Sequence, residues 1–201
     1  MTDSTVSVQF TEIMRGFILL DEQNNFQQGY DHGHDICFKL TIKILDIDSF
    51  INDPCKTAET FGIIDSQVLG GELKIEKGLF NLFVDVGDPD ENIQQMQYRL
   101  FFTDHQNRKM TLVGYKILKN NGLLGLWSDT TTLYTQVLSG HVDQDQMTTV
   151  NATGILRIKP LDFIWQMTTF RTRGKSFRLK ISGLLKFFKL FVGSLWDVYG
   201  F

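Results

Sequence analysis

The sequence predicts an all-β protein, an antiparallel meander of about nine or ten strands followed by a C-terminal amphipathic helix. Three observations support this fold class. Stretches in which apolar and polar residues alternate recur along most of the chain. The connections between them are short, and short connections join antiparallel neighbours. The composition, with 17 Phe and 17 Gly but only 3 Pro, is typical of strands and turns.

The alternation is clearest at residues 36–44 (ICFKLTIKI), where large apolar side chains occupy every second position. Lys77-Gly78 is a hairpin signal between two such stretches, and the polar loop DHQNRK at residues 104–109 is another. In chain order, the predicted strands cover residues 8–20, 36–44, 72–76, 79–86, 97–103, 110–118, 133–138, 150–158 and 164–171.

A meander of this many strands either closes into a barrel or folds into a sandwich, because open sheet edges promote aggregation. We favour a barrel, with a β-sandwich as the alternative. Two segments have helical character. Residues 49–61 contain Asp53-Pro54 as a cap and first-turn pair, and residues 182–197 form the apolar tail. The whole chain, residues 1–201, is predicted to be a single domain.

Composition narrows the function classes. Hydrophobic residues make up 42% and charged residues 21% of the chain, which indicates a globular protein rather than a disordered one. The net charge of −3 argues against nucleic acid as a partner. The N-terminus has no signal-peptide pattern, and no apolar run is long enough for a membrane span. We therefore expect a cytoplasmic protein, although non-standard secretion would leave no mark in the sequence.

The tail LLKFFKLFVGSLW (residues 184–196) has a broad apolar face and is preceded by a basic segment without acidic residues. Two interpretations remain open. The helix either packs into the β domain as core, or docks on a partner or a membrane surface. The docking interpretation uses six residues: Lys186, Phe187, Phe188, Lys189, Phe191 and Trp196.

The stretch WSDTTTLYTQVLSGH (residues 127–141) places many hydrogen-bonding groups along one predicted strand. A barrel that binds an amphipathic ligand needs a few polar groups among apolar walls. Thr130, Thr132, Tyr134 and His141 are therefore the candidate ligand-binding residues. The alternative is that these threonines simply favour a strand and line its wet face.

A metal site and a catalytic nucleophile have weaker support. His32 and His34 in YDHGHD (residues 30–35) are metal-ligand types, but a third ligand would have to come from His105, His141 or a distant acid, so a solvated polar loop is the favoured interpretation. Cys37 and Cys55 fit reduced thiols. The sequence has no GxSxG elbow and no GxGxxG fingerprint, so we predict no catalytic residue and no cofactor.

Seven stretches together resemble an accessory domain found beside flavin-dependent glucose–methanol–choline oxidoreductases of the cholesterol-oxidase-like kind, and in related lipid-metabolism proteins. They are FTEIMRGF (10–17), LGGELKIEKGLFNLFV (69–84), MQYRLFFTD (96–104), LWSDTTTLYTQVLSGH (126–141), ATGILRI (152–158), DFIWQMTTFR (162–171) and FFKLFVGSLWDVY (187–199). The resemblance spans almost the whole chain. It implies an accessory domain standing alone, without the flavin-binding part, and a partner oxidoreductase.

The leading functional hypothesis is a non-catalytic module that binds a lipid-like or sterol-like molecule inside a β-barrel. The alternative is an interaction module that docks on a partner enzyme or peripherally on a membrane through its C-terminal helix. A small enzyme with its site in the barrel is the third.

Overall fold

A computed structural model describes residues 5–86, 93–120, 122–143 and 148–199 of the chain. Within these residues, the structure contains nine strands and five α-helices. The strands are β1 (Ser7–Leu20), β2 (His34–Ile44), β3 (Thr57–Ser66), β4 (Gly71–Asp85), β5 (Gln94–Thr103), β6 (Lys109–Leu118), β7 (Thr132–Ser139), β8 (Val150–Arg157) and β9 (Arg171–Arg173). The helices are α1 (Phe26–His32), α2 (Ile47–Asn52), α3 (Leu123–Thr131), α4 (Pro160–Thr168) and α5 (Phe177–Tyr199), with a 3₁₀ turn at Gln67–Leu69.

Strands β1 to β8 form a closed antiparallel meander barrel. Strand β1 closes it, because this strand pairs with β2 from Val8 to Ile18 and with β8 from Arg15 to Leu20. The short strand β9 adds to the free edge of β1 at Ser7 to Gln9. The predicted barrel is confirmed, and the sandwich alternative is wrong. The predicted strands at 8–20, 36–44, 97–103, 110–118, 133–138 and 150–158 correspond to β1, β2, β5, β6, β7 and β8.

The barrel interior is filled by every second side chain of each strand, as the alternation predicts. These side chains merge into one hydrophobic cluster. Fully buried examples from five different strands are Phe38, Ile64, Leu100, Leu112 and Leu156. Burial of each such side chain stabilises the fold by about 1.5–3 kcal/mol.

Four helices lie at one end of the barrel, and the topology explains why. In an antiparallel meander, all even-numbered strands end at the same rim. Helix α2 follows β2, α3 follows β6, α4 follows β8, and α5 follows β9, which pairs with the first residues of β1 at this rim. We call this rim the helix-capped end. The fold is therefore mixed rather than purely all-β.

Helix α5 extends further than the predicted residues 182–197 and crosses the helix-capped end. Phe187 on its inner face packs 5.7 Å from the Phe10 ring of β1, and Phe191 packs 5.5 Å from the Phe83 ring of β4. A Cβ at Gly183 would lie 2.4 Å from a side-chain carbon of Val6, so this glycine permits the close approach of helix and strand. One face of α5 thus belongs to the core.

Two secondary-structure predictions are wrong. Residues 164–171 were predicted to form a strand, but Pro160 begins helix α4 there, with Asp162 in the first turn. Residues 49–61 were predicted to form a helix, but α2 ends at Asn52. The following segment becomes β3, because Thr57–Ser66 alternates between buried and exposed positions.

The predicted hairpin turn at Lys77-Gly78 lies inside a single long strand, β4. The register of β4 against β5 shifts between Ile75 and Lys77, so the strand bulges instead of turning. A Cβ at Gly78 would lie 1.9 Å from the hydroxyl oxygen of Thr60. This glycine therefore marks a close approach of two strands. Helices α1 and α3 were not predicted.

Candidate functional site

A cavity of about 350 Å³ lies between the barrel interior and helices α3, α4 and α5. We call it the end cavity. Its walls are mostly aromatic and aliphatic, and its polar side chains include four that come from β1, β5, β6 and α4. The apolar lining comprises Phe10, Phe80, Leu82, Met96, Leu126, Trp127, Ile158, Phe163, Met167, Phe170, Phe187, Phe188, Phe191 and Leu195. The four polar side chains are Glu12, Tyr98, Lys116 and Gln166.

A buried ion pair forms the centre of this polar group. The Lys116 Nζ atom lies 3.5 Å from Glu12 Oε2, and the two side chains are 3% and 2% exposed. Lys116 Nζ also lies 5.3 Å from the centre of the Tyr98 ring. Burial lowers the pKa of Lys116, and the neighbouring Glu12 opposes that change. Burial raises the pKa of Tyr98 well above its ordinary value, and Glu12 raises it further.

A charged pair inside a barrel is costly to desolvate, so it marks a candidate site. Two acceptor atoms in the polar lining of the cavity also lack a hydrogen-bond donor. Among the described residues, no protein group donates a hydrogen bond to Glu12 Oε1 or to Gln166 Oε1. Buried polar atoms are nearly always hydrogen-bonded in folded proteins. The end cavity therefore presents two buried acceptors that a bound molecule can satisfy.

Aromatic packing and one hydrogen bond hold the helices over the cavity. Phe170 stacks on Phe10 at 4.8 Å and lies 5.6 Å from the Phe187 ring, which links the segment after α4 to β1 and α5. The Tyr199 hydroxyl donates to Asp129 Oδ2 at 2.8 Å, which joins α5 to α3. Burial raises the pKa of Tyr199, and the Asp129 carboxylate adds to that effect.

A second concavity, the outer groove, is larger, at about 790 Å³, but lies open on the outside of the barrel. Its lining is rich in charged side chains, including Arg15, Arg157 and Lys159. Arg15 is paired with Asp162 at 3.3 Å. Sites for small molecules are usually enclosed and mainly apolar. We therefore take the smaller end cavity as the candidate site.

The structure does not bring the four predicted ligand-binding residues together. Thr130 lines the end cavity, but its hydroxyl donates to the Leu126 carbonyl at 2.7 Å within α3. Thr132 lines the outer groove. Tyr134 packs against the rings of Phe26 and Tyr115, at 5.5 and 5.7 Å.

The fourth residue, His141, lies at the opposite end of the barrel. Its Nε2 atom is 3.2 Å from the Phe102 carbonyl oxygen. The reason for the dispersal is that α3 occupies residues 123–131, so β7 begins only at Thr132. Within β7, Leu133, Thr135 and Val137 share the buried face, which leaves Tyr134 on the outer face of the barrel wall.

The six predicted docking residues divide between two faces of α5. Phe187 is buried, and Phe188 and Phe191 are half-buried against the core. Lys186, Lys189 and Trp196 are exposed. Four further apolar side chains share the exposed side of the helix: Phe177, Ile181, Leu185 and Val192. Both interpretations of the tail therefore describe part of the same helix.

The histidine cluster has no ligand set around it. His32 ends α1 and His34 begins β2. Nowhere in the described part of the chain do three His, Cys, Asp or Glu side chains come together to hold a metal ion. Both cysteines are free thiols. Burial raises the pKa of Cys37, and the nearby Arg15 partly opposes that rise.

Glu12, Tyr98, Lys116 and Gln166 were not predicted as site residues. A signal for two of them is present in the sequence. Glu12 stands in phase with Phe10 and Met14, and Lys116 stands in phase with Leu112 and Leu118, so each charge falls on the buried face of its strand. A charge in phase with apolar residues indicates a buried polar group.

Comparisons with models of protein families, with curated proteins and with solved structures find no match for this chain. The resemblance to an oxidoreductase-associated domain thus stays a prediction. In the described part of the chain, no helix combines the length and apolar character that a membrane span requires.

Proposed function

We propose that the protein binds an apolar or amphipathic small molecule in the end cavity. The observation that carries the proposal is the mainly apolar cavity under helices α3, α4 and α5, with the Glu12–Lys116 pair in its lining. Its volume of about 350 Å³ lies in the lower part of the range usual for small-molecule pockets, about 300–1,000 Å³. Apolar walls provide affinity, and a few convergent polar groups orient the ligand.

The cavity is a binding site rather than a reaction centre in this proposal. Glu12 and Lys116 engage each other at 3.5 Å inside the barrel, and Glu12 opposes the lowering of the Lys116 pKa by burial. The four polar residues come from strands and one helix packed on the core, which fixes their positions. Such a preorganised site lowers the entropic cost of binding.

Isothermal titration calorimetry with decanol tests this proposal. Met167 lines the cavity on α4 and is 40% exposed, so Met167→Trp places a larger side chain at the cavity without replacing a buried core residue. Leu161 lies on the same helix, is 80% exposed and is absent from the cavity lining, so Leu161→Trp is the matched control. We expect saturable binding by the wild type and Leu161→Trp, weakened at least about tenfold in Met167→Trp. No binding, or equal binding by all three, would contradict the proposal.

A second candidate function is peripheral docking on an anionic lipid surface through the exposed face of α5. Leu185 is 63% exposed and Val192 is 55% exposed, and they share the exposed side of α5 with Ile181, a grouping of apolar side chains that is typical of an interaction surface. Arg178 and Lys189 border the same shallow groove as Ile181 and Leu185. Mixed basic and apolar side chains on one helix face suit a membrane interface.

Vesicle co-sedimentation tests the docking proposal. We expect the protein to sediment with phosphatidylcholine vesicles that contain phosphatidylglycerol and to stay in solution with phosphatidylcholine alone. Leu185→Asp should abolish sedimentation. Phe61→Asp changes an apolar side chain on β3 of the barrel wall that is 49% exposed, and it should leave sedimentation unchanged. Absence of binding to both vesicle types, or an equal effect of the two variants, would contradict docking through α5.

A further inference from the structure

We propose that the ligand of the end cavity is a neutral amphiphile that donates a hydrogen bond, of which a long-chain alcohol is the simplest example. This inference rests on the proposed function and adds the polarity of the ligand. It follows from the two buried acceptors, Glu12 Oε1 and Gln166 Oε1, which receive no hydrogen bond from any described protein group.

Glu12 carries the requirement for a donor. The residue is 2% exposed and lines the cavity, its Oε2 atom is engaged by Lys116 at 3.5 Å, and its Oε1 atom receives no hydrogen bond from a described protein group. A carboxylate in an ion pair only accepts hydrogen bonds. A ligand that buries Oε1 without donating to it leaves an unsatisfied charged acceptor, whereas a hydroxyl group satisfies it.

Gln166 adds to this chemistry from helix α4. The residue is 7% exposed on α4 and lines the same cavity. Its amide can present either an oxygen or an NH₂ group, because the two ends are related by a simple rotation. A hydroxyl group has one proton to donate and can also accept, so it can donate to Glu12 while it accepts from the Gln166 NH₂ group.

The charge on Glu12 favours an alcohol over a fatty acid as the ligand. Glu12 and Lys116 together carry no net charge, and Lys116 is already committed to Glu12. A ligand carboxylate would bring a second negative charge beside Glu12 in a poorly solvated space, which is unfavourable. The polar head therefore enters first, towards the barrel interior, and the apolar chain lies among Phe163, Phe187 and Phe188.

Three ligands of equal chain length test this inference on the wild-type protein by calorimetry: decanol, its methyl ether, and decanoate. The ether keeps the acceptor oxygen and lacks the donor. Because a hydrogen bond to a charged group contributes more than one to a neutral group, we expect decanol to bind about tenfold or more tightly than the ether. Decanoate should also bind more weakly than decanol. Equal affinities of decanol and ether, or tightest binding of decanoate, would overturn the inference.

The double variant Glu12→Leu plus Lys116→Met tests whether Glu12 causes the preference for decanol over the ether. It removes both charges together, so no unpaired charge is left in the core. We expect the variant to bind decanol and the ether with equal affinity, and so to lose the preference for decanol. A retained preference in the folded double variant would show that Glu12 does not receive the hydrogen bond. If no ligand binds the wild type, the proposed function itself fails, whereas equal binding of alcohol and ether removes only this inference.

Discussion

The Nζ atom of Lys116 lies 3.5 Å from a carboxylate oxygen of Glu12, and the two side chains are 3% and 2% exposed. The pair joins β1 to β6 across the inside of the barrel, although these two strands are not neighbours in the sheet. It stands beneath three helices and beside Tyr98 and Gln166. Under the proposed function, stability and ligand recognition therefore depend on the same two residues.

Removing one partner of the pair should be more harmful than removing both. Lys116→Met leaves the Glu12 carboxylate buried and unpaired, so we expect the free energy of unfolding to fall by about 3–5 kcal/mol. In Glu12→Leu plus Lys116→Met, apolar side chains replace the whole pair, and the loss should be much smaller or absent. Urea denaturation of the variants measures the difference. A double variant as unstable as the sum of its two single changes would contradict the pairing.

The two faces of α5 should respond differently to truncation. Phe187 is 4% exposed and packs against Phe10 and Phe170, so Phe187→Ala should cost about 3–5 kcal/mol through lost contacts and a cavity. Leu185 is 63% exposed on the same helix, and Leu185→Ala should change stability by no more than about 0.5 kcal/mol. Thermal unfolding of both variants measures this. Equal losses would mean that Leu185 contributes to the core as Phe187 does.

The closure of the barrel depends on close contact between β1 and β8. A Cβ at Gly16 would lie 2.0 Å from the backbone carbonyl oxygen of Ile155, so Gly16→Ala must displace a strand and should cost about 1–3 kcal/mol. Gly193 on α5 has no such neighbour within 4 Å. Gly193→Ala should stabilise the protein by about 0.5–1 kcal/mol through helix propensity. Denaturation midpoints that fall for both variants, or for neither, would contradict the close contact between β1 and β8 at Gly16.

The turn between β5 and β6 should make the free energy of unfolding depend on pH in the acidic range. Burial alone would raise the pKa of Asp104, but hydrogen bonds from Arg108 and from the Gln106 backbone N–H outweigh it and lower the pKa. Arg108 Nε donates to Asp104 Oδ2 at 2.7 Å. A lowered folded-state pKa gives stabilisation that is fully present above the ordinary aspartate value of about 3.9 and is lost as the pH falls through the folded pKa.

Asp104→Asn tests the same turn. The variant should lose about 1.5–3 kcal/mol at neutral pH, the usual contribution of hydrogen bonds to a charged group. Its urea midpoint should then fall less than that of the wild type between about pH 6 and about pH 3. If the urea midpoints of the variant and the wild type fell by the same amount across this pH range, the role of Asp104 would be contradicted. Ligand binding should be unaffected, because Asp104 lies in the loop at the opposite end of the barrel from the end cavity.

The barrel was predictable from the sequence because strand periodicity is a local signal. The alternation at residues 36–44 corresponds to β2, and the short connections imply the antiparallel order. The segment at residues 164–171 misled prediction, since a short apolar run does not distinguish strand from helix. Pro160, just before that segment, was the signal for a helix start that would have corrected it.

The site was harder to predict than the barrel. Its polar residues come from β1, β5, β6 and α4, so they meet only after the barrel closes and α4 folds over its end. Periodicity places Glu12 and Lys116 on buried faces, but which strands meet across the interior depends on tertiary structure. The predicted ligand residues were chosen for their clustering in one strand, and clustering along one strand spreads alternate side chains over both faces.

The most direct test of a ligand site in the end cavity is native mass spectrometry of the intact protein with decanol at saturating concentration. The account predicts a single one-to-one complex for the wild type and for Leu161→Trp, and little or no complex for Met167→Trp. A wild type that stays unliganded, or a complex of equal abundance in Met167→Trp, would contradict binding in the end cavity.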